Sequence, residues 1–391
     1  MKVVVAASLA FSLVNFRKRL IADLVACGFE VIACAPDDDA DVVRELAMMG
    51  VAYRRMPMAR SGLNPLADLR TLAWIMRLLR RERPDLVLAY TQKPIIYAGI
   101  ASRIVGRTRF FAMVSGLGHA FEEGAARWLR LLVAVLYRRA LARAEGVFVF
   151  NADDRDEMLR HRMISPTVPV TRVPGSGVDL VHYDAKPVPT GPLRFLMIAR
   201  LLRSKGLFEY VEAARRIRRL HPDVRFALLG PLDPSPAGIE RAQLRSWQRE
   251  GAIEYLGEAR DVRPHLAAAS VFVLPSWYRE GLPRTILEAM STGRAVITTD
   301  MPGCREPIEQ GVNGYVIAPR DADALEDALM RFVDDPALAA AMGARARETV
   351  KASFAVELVS DILLSTMRVR GTERKRQVTS AETSSFADAA P

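Results

Sequence analysis

The sequence has little of what stapled or metal-dependent domains require. Its 391 residues include three cysteines, Cys27, Cys34 and Cys304, which are too few and unsuitably spaced for a disulfide framework or a zinc site. None of the five histidines belongs to a His-x3-His pair. We therefore expect a reducing, cytoplasmic setting and no structural metal.

Long apolar runs are also missing. A membrane-spanning helix needs about 20 apolar residues in succession, whereas the longest run without a charged residue, Pro264 to Tyr278, has 15. Val3 to Phe16 is uncharged as well, but only Lys2 precedes it and no small-residue cleavage site follows before Arg17. We expect neither a membrane span nor a signal peptide.

Acidic residues are scarce in one part of the chain. The whole sequence has 55 basic and 45 acidic residues, a net charge of +10, but Arg54 to Arg143 alone holds 17 basic and 5 acidic residues. A concentrated basic surface implies an anionic partner such as acidic lipid, nucleic acid or a phosphorylated substrate. Arginine outnumbers lysine 48 to 7, so a general preference for arginine is the alternative explanation.

Short apolar strand patterns alternate with helical patterns in both halves of the chain. Strands are predicted at 2–8, 30–35, 85–89, 193–199, 225–229, 270–274 and 295–299. Helices are predicted from Phe16 to Cys27 and from Leu207 to Leu220. This alternation indicates an α/β fold of two Rossmann-like domains with parallel sheets.

The Pro-rich stretch 186–192 is the best candidate for a linker between the two domains. We predict a first domain over 1–185 and a second over 186–353, followed by a helix at 354–370 that returns to the first domain. The last residues, 371–391, are rich in Ser, Thr, Ala and charge, which predicts disorder.

Two segments of the second half combine charge with strand ends. Ligands of open α/β sheets bind beyond the carboxyl ends of the strands, which is where Arg200 and Lys205 follow one strand and Glu280 follows another. Pro283 suits the first turn of a helix, so the amides of 284–286 would be free to bind a phosphate. Glu288 lies one turn further, placed to accept hydrogen bonds from sugar hydroxyls. The alternatives are a solvated loop for the two cations and a dipole-complementing residue for Glu280.

Several motifs, taken in order, resemble a known family. They are Glu280-Gly-Leu-Pro, Glu288-Ala-Met, Gly293-Arg-Ala-Val-Ile, Pro302-Gly-Cys-Arg-Glu306, Gly311-Val-Asn-Gly314, Arg200-x4-Lys205-Gly206 and Gly175-Ser-Gly-Val-Asp179. Together they resemble the retaining family-4 glycosyltransferases of the GT-B fold, in which two Rossmann-like domains face each other across a cleft. Agreement of several motifs is more specific than any one alone.

The resemblance implies a role for each matching residue. Arg200 and Lys205 would neutralise the diphosphate of a nucleotide sugar, Glu288 would bind its ribose, and Glu280 would contact its sugar. The residues implied to offer backbone amides to sugar and phosphate are Gly281, Leu282, Thr285 and Ile286. Two fixed cations and a helix N-terminus meet the charge of the departing diphosphate without metal or cofactor.

The acceptor is expected in the first half. Segments 8–15, 90–93 and 115–121 follow predicted strands, and we interpret the first two as loops facing the cleft. The acceptor candidates are Ser12, Asn15, Lys93, Ser115, Gly116 and Gly118. His119 resembles a cleft histidine of the family with a catalytic role, although a structural histidine is the alternative.

Arg127 to Arg143 alternates apolar residues with arginines in a pattern typical of a basic amphipathic helix. We interpret it as attaching the protein peripherally to the anionic inner face of the cell membrane; a core helix with a wet basic face is the alternative. The segment 115–121 is similar to that of family members that extend lipid-linked oligosaccharides, which implies a polyprenyl-diphosphate-linked or other lipid-linked glycan as acceptor.

The sequence therefore predicts a retaining, metal-independent transferase that moves a hexose or N-acetylhexosamine from a UDP-sugar to a lipid-linked glycan in surface polysaccharide biosynthesis. Asp39-Ala-Asp41 and Asp321-Ala-Asp323 resemble metal-binding Asp-x-Asp motifs, but we interpret the second as helix-capping and the first as part of a solvated loop. The alternatives are a UDP-sugar 2-epimerase of related fold and a basic nucleic-acid-binding protein, which would need stacking aromatics that are not evident.

Overall fold

The computed structural model describes residues 1–59, 62, 64–121 and 126–369, apart from the side chain of His119. The tail at 371–391, for which we predict disorder, lies outside this range. Within it, the chain forms one parallel sheet of seven strands and one of six. The first sheet contains β1 Lys2–Ala6, β2 Glu30–Ala35, β3 Ala52–Arg55, β4 Leu86–Tyr90, β5 Arg109–Val114, β6 Gly146–Val149 and β7 Val170–Arg172. The second contains β8 Arg194–Ile198, β9 Arg225–Leu229, β10 Glu254–Tyr255, β11 Val271–Leu274, β12 Ala295–Thr299 and β13 Gly314–Ile317.

Helices connect the strands of both sheets. Those of the first half are α1 Ala10–Ala26, α2 Ala40–Met48, α3 Pro65–Glu82, α4 Gln92–Val105, α5 Arg127–Leu141 and α6 Ala152–Arg160. Those that follow are α7 Leu207–Leu220, α8 Arg241–Arg249, α9 Arg263–Ala267, α10 Arg284–Ser291, α11 Ala322–Asp334, α12 Ala337–Ser353 and α13 Val356–Thr366. In the part of the chain that the structure describes, no helix is long and apolar enough to cross a membrane.

The strand order explains where a ligand would bind. The first sheet runs β3-β2-β1-β4-β5-β6-β7 and the second β10-β9-β8-β11-β12-β13. In each sheet the order reverses beside the first strand, which is the switch point where open α/β sheets bind ligands. The central strands are buried on both faces, as their apolar runs predict. The two predicted Rossmann-like domains are therefore present, and we call them the first and second lobes.

One predicted loop is helical. The segment 8–15 was expected to be a loop, but α1 begins at Ala10, so most of the segment forms its first turns. Leu9 makes no side-chain cap, and the amide of Ala10 instead donates to the Asp37 carboxylate, 2.9 Å away in the loop after β2. Because this carboxylate is 27 residues distant in sequence, the start of α1 has no local sequence marker. The same correction applies to 90–93, because α4 begins at Gln92.

The chain crosses between the lobes twice. Where it first crosses, the guanidinium of Arg294 is fully buried and donates to the carbonyls of Lys186 and Pro187, each 3.0 Å away, and holds the linker down. It crosses back after α12, where the Val356 amide donates to the Val178 carbonyl at 3.0 Å. Helix α13 then packs on α1, with Val359 and Leu363 in the apolar core of the first lobe and Glu357 paired with Arg19 at 2.6 Å.

Candidate functional site

The loop after β8 carries the first pair of predicted site residues. It passes through a short 3-10 helix, Arg203–Lys205, and reaches α7 through Gly206 at φ +80°. A Cβ on Gly206 would lie 2.0 Å from the Pro275 carbonyl oxygen, so only glycine allows this approach to the loop after β11. Gly206 thereby brings Lys205 against the second loop, 275–283.

Backbone hydrogen bonds hold these two loops together. The amides of Trp277 and Tyr278 both donate to the Ser204 carbonyl, at 2.9 and 3.1 Å. The Lys205 ammonium pairs with the Glu280 carboxylate, which also accepts from Ser276 Oγ at 3.2 Å, and both charged side chains are largely buried. The structure thus brings together two predicted residues that are 75 positions apart in sequence.

Arg200 occupies a different position from Lys205. Its guanidinium donates to the Asp233 carboxylate at 3.0 Å, and the Arg200 side chain is 54% exposed. Hydrogen bonds from Ser235 and the nearby Arg200 hold the pKa of Asp233 below its ordinary value. In this state each predicted cation has its own carboxylate partner. A diphosphate would have to replace these partners.

Helix α10 begins one residue later than Pro283, which caps it. The predicted set of free amides is wrong at Ile286, because its amide donates to the Pro283 carbonyl at 3.2 Å and its side chain belongs to the buried core of the second lobe. This bond spans three residues, as in a 3-10 helix, and such bonds are common in the first turn of an α-helix. Thr285 is partly exposed at the helix start.

Glu288 lies on α10 and is 5% exposed. Arg284, one turn earlier, donates to its carboxylate at 2.8 Å. Burial raises the pKa of Glu288, against the opposing effects of Arg284 and Tyr183. Arg284 also donates to the Asn15 carbonyl of the first lobe, and its guanidinium lies 5.3 Å from the centre of the Phe16 ring. Arg284 therefore links the predicted ribose-binding glutamate to helix α1.

The donor-side and acceptor-side candidates meet where the lobes touch. A Cβ on Gly281 would lie 2.3 Å from the Ser115 carbonyl oxygen and 3.0 Å from the Gly116 nitrogen. A Cβ on Gly303 would lie 2.4 Å from the Glu280 carbonyl oxygen on the other side. The backbone at 280–281 is thus enclosed between the two lobes. Leu282 contacts both apolar cores and packs on Gly175.

The other acceptor candidates are less open than expected. Ser12 is buried in α1 and bonds to the Leu9 carbonyl at 2.6 Å and the Tyr90 hydroxyl at 2.8 Å. Lys93 pairs with Asp68 of α3 at 3.1 Å, so its charge is neutralised within the first lobe. Gly118 adopts φ +70° near the Gln92 side chain. The backbone of His119 lies in a short 3-10 helix, and its side chain lies outside the described residues.

A buried polar cluster that the sequence did not predict joins the lobes. Asn151 caps α6 by accepting from the Asp154 amide at 2.7 Å, and its side-chain amide donates across the interface to the Gly281 carbonyl at 2.9 Å. Asp154 is fully buried, 3.5 Å from the Arg279 guanidinium, and burial raises its pKa to about 6. Asparagine followed by acidic residues is a recognisable helix start, but nothing local shows that it faces Gly281.

Arg17 is a second residue that was missed. It is 2% exposed, and burial lowers its pKa to about 10. Its guanidinium lies 5.1 Å from the centre of the Tyr90 ring and 5.8 Å from that of Phe150. Within the described residues it has no carboxylate partner. Stacking on aromatic rings partly compensates for its desolvation.

The Asp-x-Asp motifs serve helix starts. Asp321 accepts from the Ala324 amide at 2.8 Å and caps α11, as predicted. Asp39 accepts from the Asp41 amide at 3.1 Å and caps α2, whereas a plain solvated loop was expected. Among the described residues, no group of three or more His, Cys, Asp or Glu side chains is arranged to hold a metal ion.

Two models of known protein families match nearly the whole of both lobes. The Glycosyl transferase 4-like domain matches residues 15–176, and the model for Glycosyl transferases group 1 matches residues 182–349. The boundary between the two matches falls close to the Pro-rich linker.

Two glycosyltransferases with known substrates are similar to this chain over most of its length. The N,N'-diacetylbacillosaminyl-diphospho-undecaprenol alpha-1,3-N-acetylgalactosaminyltransferase of Campylobacter jejuni is 26% identical over 349 residues, which cover 84% of this chain and 88% of that protein. The UDP-Gal:alpha-D-GlcNAc-diphosphoundecaprenol alpha-1,3-galactosyltransferase of Escherichia coli is 27% identical, over 72% of this chain and 75% of that protein.

Solved structures share the fold. HepE of Anabaena in complex with UDP has a TM-score of 0.75 at 18% identity, covering 95% of this chain and 100% of that chain. A glycosyltransferase from Rickettsia africae has a TM-score of 0.74 at 18% identity, covering 94% and 98%.

Proposed function

Because the chain belongs to the family-4 glycosyltransferases of the GT-B fold, we propose that it transfers a hexose or N-acetylhexosamine from a UDP-sugar to a glycan carried on undecaprenyl diphosphate. Both relatives described above are named for diphosphoundecaprenol-linked substrates, and one is named for UDP-Gal. The family membership favours transfer over an epimerase or a nucleic-acid-binding protein. The proposed role is in surface polysaccharide biosynthesis.

The observation that carries the proposal is the buried Lys205–Glu280 pair beside the start of α10. A diphosphate at this place would replace Glu280 as the partner of Lys205. That exchange frees the Glu280 carboxylate to accept hydrogen bonds from the donor sugar, while Glu288 lies one turn inside α10, where it would bind the ribose.

We propose the chemistry that the family implies. The acceptor hydroxyl oxygen bonds to the anomeric carbon on the face from which UDP departs, the bond from that carbon to the phosphate oxygen breaks with its electrons, and the hydroxyl proton passes to the departing phosphate. Configuration is retained without a covalent enzyme intermediate. Lys205, Arg200 and the α10 amides stabilise the growing negative charge, so we expect transfer to continue in EDTA.

A transfer assay tests this function directly. Purified protein is incubated with UDP-sugars and a synthetic sugar-diphosphate-lipid in EDTA, and the lipid product and released UDP are quantified. We expect product only when both substrates are present, and an anomeric configuration that matches the donor. UDP release from the donor without acceptor, accompanied by a 2-epimerised sugar, would instead support the epimerase.

Peripheral membrane attachment is the second part of the proposal. Helix α5 packs on α4 and buries Val133, Ala134 and Tyr137 in the apolar core of the first lobe, yet it also exposes a second apolar face. That outer face consists of Trp128, Leu131, Leu132 and Val135, which are 62%, 67%, 38% and 42% exposed. Their spacing places them on one stripe of the helix, beside arginines. Such a face suits the boundary between headgroups and acyl chains on the cytoplasmic side.

Vesicle flotation tests the attachment. We expect the protein to float with vesicles of phosphatidylglycerol and phosphatidylethanolamine but not with neutral vesicles, and Leu131→Glu to abolish flotation. Leu220→Glu is the matched control, because Leu220 is 76% exposed on α7 of the second lobe. If Leu131→Glu floats as well as wild type, α5 is not the attachment surface.

A further inference from the structure

A cavity of about 540 Å³ opens beside β3, the edge strand of the first sheet, and its lining includes none of the donor-site residues. Pro36, which follows β2, and Met56, which follows β3, form its floor and wall on the sheet side, and helix α3 forms the other wall. The cavity therefore lies at the carboxyl edge of the first sheet, which is the edge that faces ligands in this fold class.

The lining joins cations to apolar groups. Arg70, Trp74 and Arg77 point into the cavity from one face of α3, since their spacing of four and three residues places them in line on a helix. Arg55, Met56 and Met58 line the opposite side. An arginine suits phosphate oxygens, and methionine and tryptophan suit a hydrocarbon chain.

The three arginines of this cavity differ in whether a carboxylate pairs with them. Arg55 donates to the Asp38 carboxylate at 3.0 Å and to the Pro36 carbonyl at 3.2 Å. Neither Arg70 nor Arg77 has a carboxylate partner in the part of the chain that the structure describes. Arg70 and Arg77 lie two helical turns apart on α3, with Trp74 between them. Two arginines on one helix face without a carboxylate partner favour an anionic ligand with more than one charge.

The surroundings of the cavity favour a lipid-borne ligand. Leu66 and Leu69, in the first turns of α3, are 79% and 61% exposed next to Arg70. Helix α3 packs on α4, which packs on α5, so these leucines share one face of the sheet with the exposed apolar stripe of α5. A chain leaving the cavity past Leu66 and Leu69 would enter the same apolar layer that α5 is proposed to reach.

We propose that this cavity binds the diphosphate and first isoprene units of the lipid-linked acceptor. The proposal rests on the proposed function for the identity of that lipid. Arg70 and Arg77 hold the diphosphate, and Trp74, Met56 and Met58 contact the isoprenoid. Four strand spacings separate β3 from β5, about 19 Å at 4.8 Å per strand, so an acceptor glycan of several sugars extends from the cavity toward Ser115 and Gly116. The cavity thus determines acceptor affinity and not the bond-making step.

Titration with three probes tests the site. Farnesyl diphosphate carries both recognised groups, inorganic pyrophosphate only the charge, and farnesol only the chain; each is titrated calorimetrically against the full-length protein. We expect farnesyl diphosphate to bind at least tenfold more tightly than either of the others. The double variant Arg70→Gln/Arg77→Gln is expected to lose at least tenfold in that affinity, and Trp74→Ala a smaller factor.

Arg80→Gln/Arg81→Gln is the matched control, because it removes two charges from the same helix and neither residue lines the cavity. Equal weakening by this control would overturn the proposal, since general surface charge would then explain binding. Equal affinity for pyrophosphate and farnesyl diphosphate would also overturn it, since the site would then recognise a free anion.

UDP binding to the same proteins separates this proposal from the proposed function. We expect UDP to bind the cavity variants as it binds wild type. Failure of UDP to bind wild type would refute the proposed function while leaving farnesyl diphosphate binding as measured. In the transfer assay with an acceptor that carries several sugars, the double variant is expected to raise the acceptor KM at least tenfold with kcat within a factor of two, and a fall in kcat alone would contradict the assigned role.

Discussion

Asn151 provides the most informative single perturbation, because it performs two separable tasks. Its side-chain oxygen caps α6, and its side-chain nitrogen reaches the Gly281 carbonyl of the other lobe at 2.9 Å. Asn151→Ser keeps a good cap and removes the side-chain amide, which donates to Gly281 across the lobes and to the Asp154 carboxylate at 3.1 Å, whereas Asn151→Ala removes the cap as well. The difference between the two variants therefore measures the cap, and the loss in Asn151→Ser measures the bonds of the amide.

The magnitudes follow from the burial of the groups. Losing the bond to Gly281 costs about 1 kcal/mol if water replaces it, and up to about 3 kcal/mol if the carbonyl stays buried without a partner. Gly281 is buried, so we expect the higher part of this range for Asn151→Ser. Losing the cap adds about 1 kcal/mol in Asn151→Ala.

Urea unfolding followed by circular dichroism measures both variants, with Asp321 as the matched control. Asp321 caps α11 from within the second lobe, so Asp321→Ser should change stability little and Asp321→Ala should cost about 1 kcal/mol. An Asn151→Ser protein as stable as wild type would refute the argument that this contact holds the 280–281 backbone against the first lobe.

Three further predictions concern the same region. Burial raises the pKa of Asp154 to about 6, so between about pH 4 and pH 6 the folded state holds a proton that the unfolded chain has released. The stability of wild type relative to Asp154→Asn should therefore fall as the pH rises through this range and stay constant above it. Thermal melts of the two proteins at a series of pH values measure this difference. Gly206→Ala places a Cβ 2.0 Å from the Pro275 oxygen at φ +80°, and should cost about 1–3 kcal/mol in urea unfolding; an unchanged midpoint would contradict the close approach. Arg284→Gln removes the cation that favours ionised Glu288 and so raises the pKa of Glu288. As the pH is lowered, UDP affinity should therefore begin to fall at a higher pH in this variant than in wild type. Coincident pH profiles would exclude Glu288 from the site.

Elements with local signatures could be predicted from the sequence. The strands at 30–35, 225–229 and 295–299 and the helix at 207–220 have the bounds that their apolar patterns predict. Lys205 and Glu280 could be selected because strand ends mark the ligand edge of a parallel sheet. Their mutual pairing could not, because it depends on the approach of Gly206 to the Pro275 carbonyl.

Features that arise from contact between distant segments were missed. The start of α1 depends on Asp37, and the inward position of Lys93 depends on Asp68 of a neighbouring helix. In the sequence, Asn151 has the pattern of a helix cap and Arg284 that of a surface arginine. Their contacts with the opposite lobe are visible only in the folded chain. Likewise the second apolar face of α5 is visible only once the first has been buried. In each case the deciding partner lies far away in sequence.

Stabilisation by UDP in EDTA tests the central claim, that Lys205 and its loop form a metal-independent nucleotide-sugar site. A ligand at 100 times its dissociation constant adds about 2.7 kcal/mol to stability, which a thermal melt detects easily. We expect UDP to stabilise wild type and Lys351→Ala, whose lysine pairs with Glu348 on the surface, and to leave Lys205→Ala unchanged. Equal stabilisation of all three proteins, or of none, would contradict the account.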